Sequence, residues 1–231
     1  MTYVDIRNAV EAEGLILRGG FHPLDEDQVP PVSPDAGCGT LLILGNAGRE
    51  MWRRFSRSPE FRQESDPLNA FSRRVIESIA EPFAARALFP FDGPPFLPFL
   101  RWAQRAEPVW PSPLGPLIHS EYGLWHAYRG ALALPDRLEL PSRPAAKRPC
   151  DVCPDKPCLH ACPVDAFDGK SFDVAACIGH IGTPAGEPCF AAGCLARRAC
   201  PVGTEYAYGP GQAEFHTRAF LRANQQMQRD A

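Results

Sequence analysis

The chain has no stretch of eighteen consecutive apolar residues, and so no segment that reads as a bilayer-spanning helix. Its opening, MTYVDIRNAVEAEG, carries acidic residues in the first turns and no uninterrupted apolar run, so it does not read as an export signal. Neither sign of charge dominates: 24 Lys and Arg against 27 Asp and Glu give a net charge of −3. With the pI near 6.1, no basic face of the kind that attracts nucleic acid is expected. A G-x-G-x-x-G loop is also missing, which removes the dinucleotide fingerprint. These absences predict a cytoplasmic protein with neither a membrane nor a nucleic acid as partner. Hydrophobic residues make up 45% of the 231 positions, enough for a packed core.

The first two thirds mixes helical and strand signals, and the fold class expected is α+β. Thr2 and Asp5 form a capping pair, Ile6 and Val10 an apolar stripe, and Gly14 a stop, which predicts a short N-terminal helix. Residues 39–48, GTLLILGNAG, read as a buried strand turning into a helix over MWRRFSRSPEF. Asp66-Pro67 starts a stronger helix, with Phe71, Val75, Ile76 and Ile79 on one side. The prolines of FPFDGPPFLP, residues 89–98, rule out a regular helix and leave a shaped loop. Residues 117–134 read as two strands around Gly123, and LPSRPAAKRP as a linker. A last helix is expected over PGQAEFHTRAFLRANQQMQRD.

Cysteine is what the chain has in excess, and it is concentrated: eight of the nine lie between Cys150 and Cys200. One run is Cys150-x2-Cys153-x4-Cys158-x3-Cys162-Pro; a second is Cys189-x4-Cys194-x5-Cys200-Pro, with Cys177 alone between them. Both end in Ala-Cys-Pro-Val. Two-cluster bacterial ferredoxins repeat C-x2-C-x2-C-x3-C-P, and the fourth cysteine of each run crosses to the other cluster. A short loop wraps three corners of a cubane, whereas the cysteine that opens the next helix faces away. On that rule Cys150, Cys153, Cys158 and Cys200 hold one [4Fe-4S] cluster, and Cys162, Cys177, Cys189 and Cys194 the other. Both runs depart from the x2-x2-x3 spacing. Two all-cysteine zinc sites would use the same thiolates, although zinc does not ask for Cys-Pro, and disulfides would need an oxidising compartment. Cys38 is left over and reads as a packed core thiol. His160 and His180 either donate to cluster sulfurs or pack, and Arg197 and Arg198 read as solvated.

Residues 99–203 resemble epoxyqueuosine reductase and, more distantly, the reductive dehalogenases. The likeness is carried by Trp102-Ala103-x-Arg105-Ala106, Trp110, Leu117-Ile118-His119, Gly123-x-Trp125, Leu138-Glu139-Leu140-Pro141, the first cysteine run and Ala176-Cys177-Ile178. Those families join a vitamin B12 domain to a two-cluster ferredoxin domain that feeds electrons to cobalt, and their lone cysteine at the position of Cys177 ligates the second cluster. The upstream half resembles the vertebrate cobalamin-processing protein through Phe21-His22-Pro23, Asp66-Pro67 and Ile118-His119-x-x-Tyr122-Gly123-x-Trp125-x-x-Tyr128-Arg129-Gly130.

Together these resemblances imply a nitroreductase-like domain over 1–145, a ferredoxin-like domain with two [4Fe-4S] clusters over 146–205, and a helix over 206–231. They imply a cobalamin, or a flavin, held by His119, Tyr122, Trp125, Tyr128 and Arg129, and Asp92 as proton donor, walled by Phe89, Phe91 and Phe96. The aromatic alternation of 119–129 is also what a half-buried strand contains, and Asp92 beside Gly93 is also a turn aspartate. No D-x-H-x-x-G signature marks a cobalt site. The function expected is reduction of a small molecule, or of cobalamin itself, with electrons from a donor protein of the reductase, flavodoxin or ferredoxin type. The alternative is an electron carrier or B12 delivery protein without catalysis of its own.

Overall fold

Thr2 opens the first helix by accepting the Asp5 amide while the Asp5 carboxylate accepts the Thr2 amide, the capping box its sequence predicts. In this computed structural model, which describes residues 1–230 and the side chains of 1–224, the elements run α1 (Tyr3–Ala12), β1 (Ile16–Phe21), β2 (Thr40–Ala47), α2 (Glu50–Phe55), α3 (Pro67–Ala80), β3 (Arg86–Leu88), α4 (Phe99–Ala106), β4 (Val109–Pro111), β5 (Leu117–His119), β6 (His126–Leu134), α5 (Val174–Ile181), α6 (Glu187–Ala192), α7 (Leu195–Arg198) and α8 (Pro210–Asp230). They form two compact units. Met1–Val109 goes with His126–Ala146, and Trp110–Trp125 goes with the chain from Lys147 onward. The chain crosses between the units three times, 110–125 belongs with the cysteines, and α8 joins the same unit.

In the first unit an antiparallel sheet runs in the order β1-β2-β6-β3. All of β2 is buried, because helices cover both faces, and this is why its sequence is a continuous apolar run. Leu41, Ile43, Ala131 and Ala133 pack with Phe99 and Trp102 of α4 on one face. Gly130 is on the other, where a Cβ would meet Ile76 of α3 at 2.7 Å. The helix expected over 51–61 is shorter than its sequence suggests. It stops at Phe55, and Pro59, lacking an amide hydrogen, starts a separate 3-10 turn at Pro59–Arg62.

Buried charge in this unit is paired. Arg18 donates through Nε to Glu107 at 2.8 Å, and a second guanidinium nitrogen lies 2.7 Å from the other carboxylate oxygen. Tyr128 donates its hydroxyl to the same carboxylate at 2.7 Å. Burial, and then the Glu107 charge, push the Tyr128 phenol well above its usual range. Cys38 belongs here too, half-buried, with its thiol donating to the Thr40 carbonyl and raised to about 11 by burial.

In the second unit short turns and helices carry the cysteines, and α8 is its one long helix among the described residues. Its core joins Leu114, Ile118 and Leu124 to Phe167, Ala196 and several cysteines. The 119–125 turn approaches the 202–203 turn so closely that both positions require glycine. A Cβ on Gly123, at φ +56, would lie 1.9 Å from the Val202 carbonyl oxygen, and one on Gly203, at φ +70, would lie 2.3 Å from the Tyr122 carbonyl carbon. Among the described residues no helix is long and apolar enough to cross a membrane.

Candidate functional site

The eight clustered cysteines are all free thiols in the second unit, and six of them are raised by burial and by neighbouring cysteines. Burial pushes Cys177 up to about 11, and Cys194, Cys162 and Cys189 add to the rise. Cys194 and Cys189 are raised first by burial, with Cys162 contributing to both. Cys150 and Cys158 are raised by burial and then by neighbours that include Cys200 and Cys153, and Cys153 contributes to Cys200. Cys177, Cys189 and Cys194 thus have Cys162 in common as a neighbour, and Cys150, Cys158 and Cys200 have Cys153.

Short turns and helices carry the thiols. The 3-10 turns Pro149–Asp151 and Pro157–Leu159 carry Cys150 and Cys158, and Cys177 lies in α5, which Asp173 caps by accepting the Ala176 amide at 2.9 Å. Amides point at the sulfurs. Ala166 N–H donates to Cys162 Sγ at 3.4 Å. The amides of Arg197 and Ala196 face Cys194, those of Leu195 and Val202 face Cys189 and Cys200, and these four oppose the rise that burial causes in Cys194, Cys189 and Cys200. Such donors favour the thiolate, the form that binds metal.

Cys162, Cys177, Cys189 and Cys194 line one cavity of about 470 Å³. Phe167, Phe172, Ile181, Leu114 and Leu124 make much of the remaining wall, so the sulfurs face a nearly dry space. His180 and Trp125 also line it, and His180 Nε2 and Trp125 Nε1 are buried without hydrogen-bond partners. Among the described residues no three His, Cys, Asp or Glu side chains are grouped to hold a single metal ion. A zinc ion draws its sulfurs to about 2.3 Å from one centre. A cubane, with an iron at each thiolate, takes a four-thiolate donor set as well.

The residues expected to hold a corrin or flavin are divided between the units. His119, Tyr122 and Trp125 lie in the second, Tyr128 and Arg129 in the first. His119 is 8% exposed; its Nδ1 accepts the amides of Glu121 and Tyr122, and its ring stacks on Tyr122 at 4.5 Å. Tyr122 meets Tyr206 edge-on, and Tyr206 donates to Glu121. Trp125 faces the cysteine cavity. The Tyr128 hydroxyl is committed to Glu107. Asp92, expected between apolar walls, has a side chain 46% exposed and ion-paired with Arg73, while Phe96 is itself 64% exposed. These residues do not fit a corrin as a set.

Arg197, expected in solvent, is half-buried. Its guanidinium lies 4.4 Å from the Trp125 ring centre and 4.6 Å from that of Tyr208, and it donates to the Leu124 carbonyl. Nothing in LARRAC distinguishes it from Arg198, which is exposed; the aromatic partners are set by folding. His160 is exposed.

No protein-family model and no curated sequence matches the chain. Solved structures do. Epoxyqueuosine reductase from Streptococcus thermophilus aligns over 91% of this chain and 69% of its own, with a TM-score of 0.53 at 15% identity. The fold resembles that of epoxyqueuosine reductase. A second structure of such an enzyme, bound to an epoxyqueuosine-modified tRNA-Tyr stem loop, aligns over 89% of this chain and 66% of its own, with a TM-score of 0.52 at 14% identity. At these identities the likeness is one of fold. It qualifies the reading of charge: a protein of this fold binds an RNA stem loop, so a net charge of −3 does not exclude RNA. The likeness to the vertebrate cobalamin-processing protein rests on sequence alone.

Proposed function

We propose that the chain is an iron–sulfur oxidoreductase with two [4Fe-4S] clusters, one on Cys150, Cys153, Cys158 and Cys200 and the other on Cys162, Cys177, Cys189 and Cys194. The observation that carries this reading is the gathering of the second set around one nearly dry cavity. When bound, the clusters supply one-electron transfer. The protein holds the thiolates, aims amides at them, and excludes water with Leu114, Ile118, Leu124, Phe167 and Phe172.

The electrons come from a donor protein of the reductase, flavodoxin or ferredoxin type. Their destination is a corrinoid, or a flavin, acting on a small molecule or being itself the substrate. The resemblance of residues 99–203 to B12-dependent reductases supports this, and the fold likeness agrees with it. The Tyr128 hydroxyl and the Asp92 carboxylate already have other partners, and these residues do not make a corrin site as a set. The second reading, an electron carrier or B12 delivery protein, is favoured by that same poor fit.

The deciding experiment adds hydroxocobalamin, and separately flavin, to anaerobic dithionite-reduced protein. Binding at micromolar protein, with reduction of the added cofactor at the expense of the clusters, supports the oxidoreductase. Clusters that reduce while neither cofactor binds leave the carrier.

A further inference from the structure

Two nitrogens on the wall of the cysteine cavity make no hydrogen bond: Nε1 of Trp125, a residue 3% exposed, and Nε2 of His180. A buried polar nitrogen without a partner is costly and rare, so each calls for an explanation; the Trp125 indole nitrogen is a donor, and so is His180 Nε2 in the tautomer that carries its proton there. The apolar side chains around them, Leu114, Leu124, Phe167, Phe172 and Ile181, hold no acceptor. Sulfur is the acceptor this cavity is built to gather.

We propose that Trp125 Nε1–H and His180 Nε2–H donate hydrogen bonds to the sulfur atoms of the cluster held by Cys162, Cys177, Cys189 and Cys194, and thereby raise its reduction potential. This rests on the iron–sulfur reading above. Both donors are fixed in place. The Trp125 indole is covered by the Arg197 guanidinium and meets Tyr208 edge-on at 5.3 Å, and Arg197 is itself anchored on the Leu124 carbonyl. His180 follows Cys177 by three residues on α5, which puts the two on one helix face. One electron from an external low-potential reductant adds negative charge to the sulfurs. Two N–H dipoles directed at that charge stabilise the reduced form more than the oxidised form, and neither gives up its proton. Trp125 thus acts as a tuning residue of the cysteine unit, a role that its place in a strand-like aromatic pattern did not suggest.

The test is a dithionite titration of the full chain, reconstituted anaerobically and followed by electron paramagnetic resonance, with the first cluster as internal reference. In Trp125→Phe and in His180→Leu the second cluster should become about tenfold harder to reduce, a fall of about 59 mV for a one-electron couple. The falls should add in the double variant, and His180→Gln, which keeps an N–H, should recover most of the loss. The first cluster should not move. Variants that keep the full iron complement with both potentials unchanged overturn the inference alone. A parent chain that takes up no iron overturns the iron–sulfur reading as well. If Trp125→Phe sheds about four irons, one cubane, the comparison of His180→Leu with His180→Gln still decides.

Discussion

Gly123→Ala should damage the cysteine unit through its backbone alone. At φ +56 an alanine meets the left-handed penalty, about 1–2 kcal/mol. Its Cβ would also stand 1.9 Å from the Val202 carbonyl oxygen. That neighbour is main chain, held by the reciprocal approach of Gly203 to Tyr122, so relief requires the two turns to part. Overpacking of this kind costs about 1–3 kcal/mol. The sum runs from about 2 to 5 kcal/mol and centres on about 3.5 kcal/mol, which lowers the melting temperature by roughly 7–14 °C for a chain of this size. Gly115→Ala is the control: its φ is +98, but nothing lies within 4 Å of its Cβ, so it isolates the backbone penalty. Scanning calorimetry of the reconstituted protein measures both variants. Cys200 lies two residues before Val202, so Gly123→Ala should also lose iron from the first set of thiols before the second. Equal melting temperatures for the two variants would refute the argument, because the close approach would then contribute nothing.

Cys177→Ser should remove about four of about eight irons, one cubane of two, while Cys38→Ser, in the first unit, should leave iron analysis unchanged. Tyr128→Phe should destabilise the first unit by about 1–2 kcal/mol in urea melts, since Glu107 loses a buried donor but keeps Arg18. Two Arg74 N–H groups hold the Glu60 carboxyl down to about 2 from its ordinary 4.5. A depressed carboxyl stabilises above its unfolded value and loses that contribution as the pH falls through the folded one. Glu60→Gln should therefore lower stability by about 0.5–1 kcal/mol at pH 7, discounted because Arg74 is 54% exposed, with the difference from the parent shrinking between pH 4.5 and 2.

Elements with one strong local signal were legible in the sequence. The capping box of α1, the apolar run of β2, the stripe of α3 and the length of α8 all appear where the pattern puts them. β1 was not legible, because Gly19 and Gly20 interrupt its alternation at a register shift between Leu17 and Gly20. α4 was hidden behind a proline-rich loop that sets no clear start. At the site, cysteine spacing proposes two sets of four, since ligand geometry is a local constraint on loop length. The allegiance of 110–125 was beyond reach: Gly123 reads as a hairpin glycine, and only the approach of Val202 shows its use. The same holds for Trp125, which sequence places among strand aromatics and folding places on the cysteine cavity.

The most direct test is the iron and acid-labile sulfide content of the full chain after anaerobic reconstitution, read with its visible spectrum. The account predicts close to eight of each per chain and a broad absorption that bleaches under dithionite. Stoichiometric zinc with negligible iron, from protein never exposed to oxygen, would contradict it.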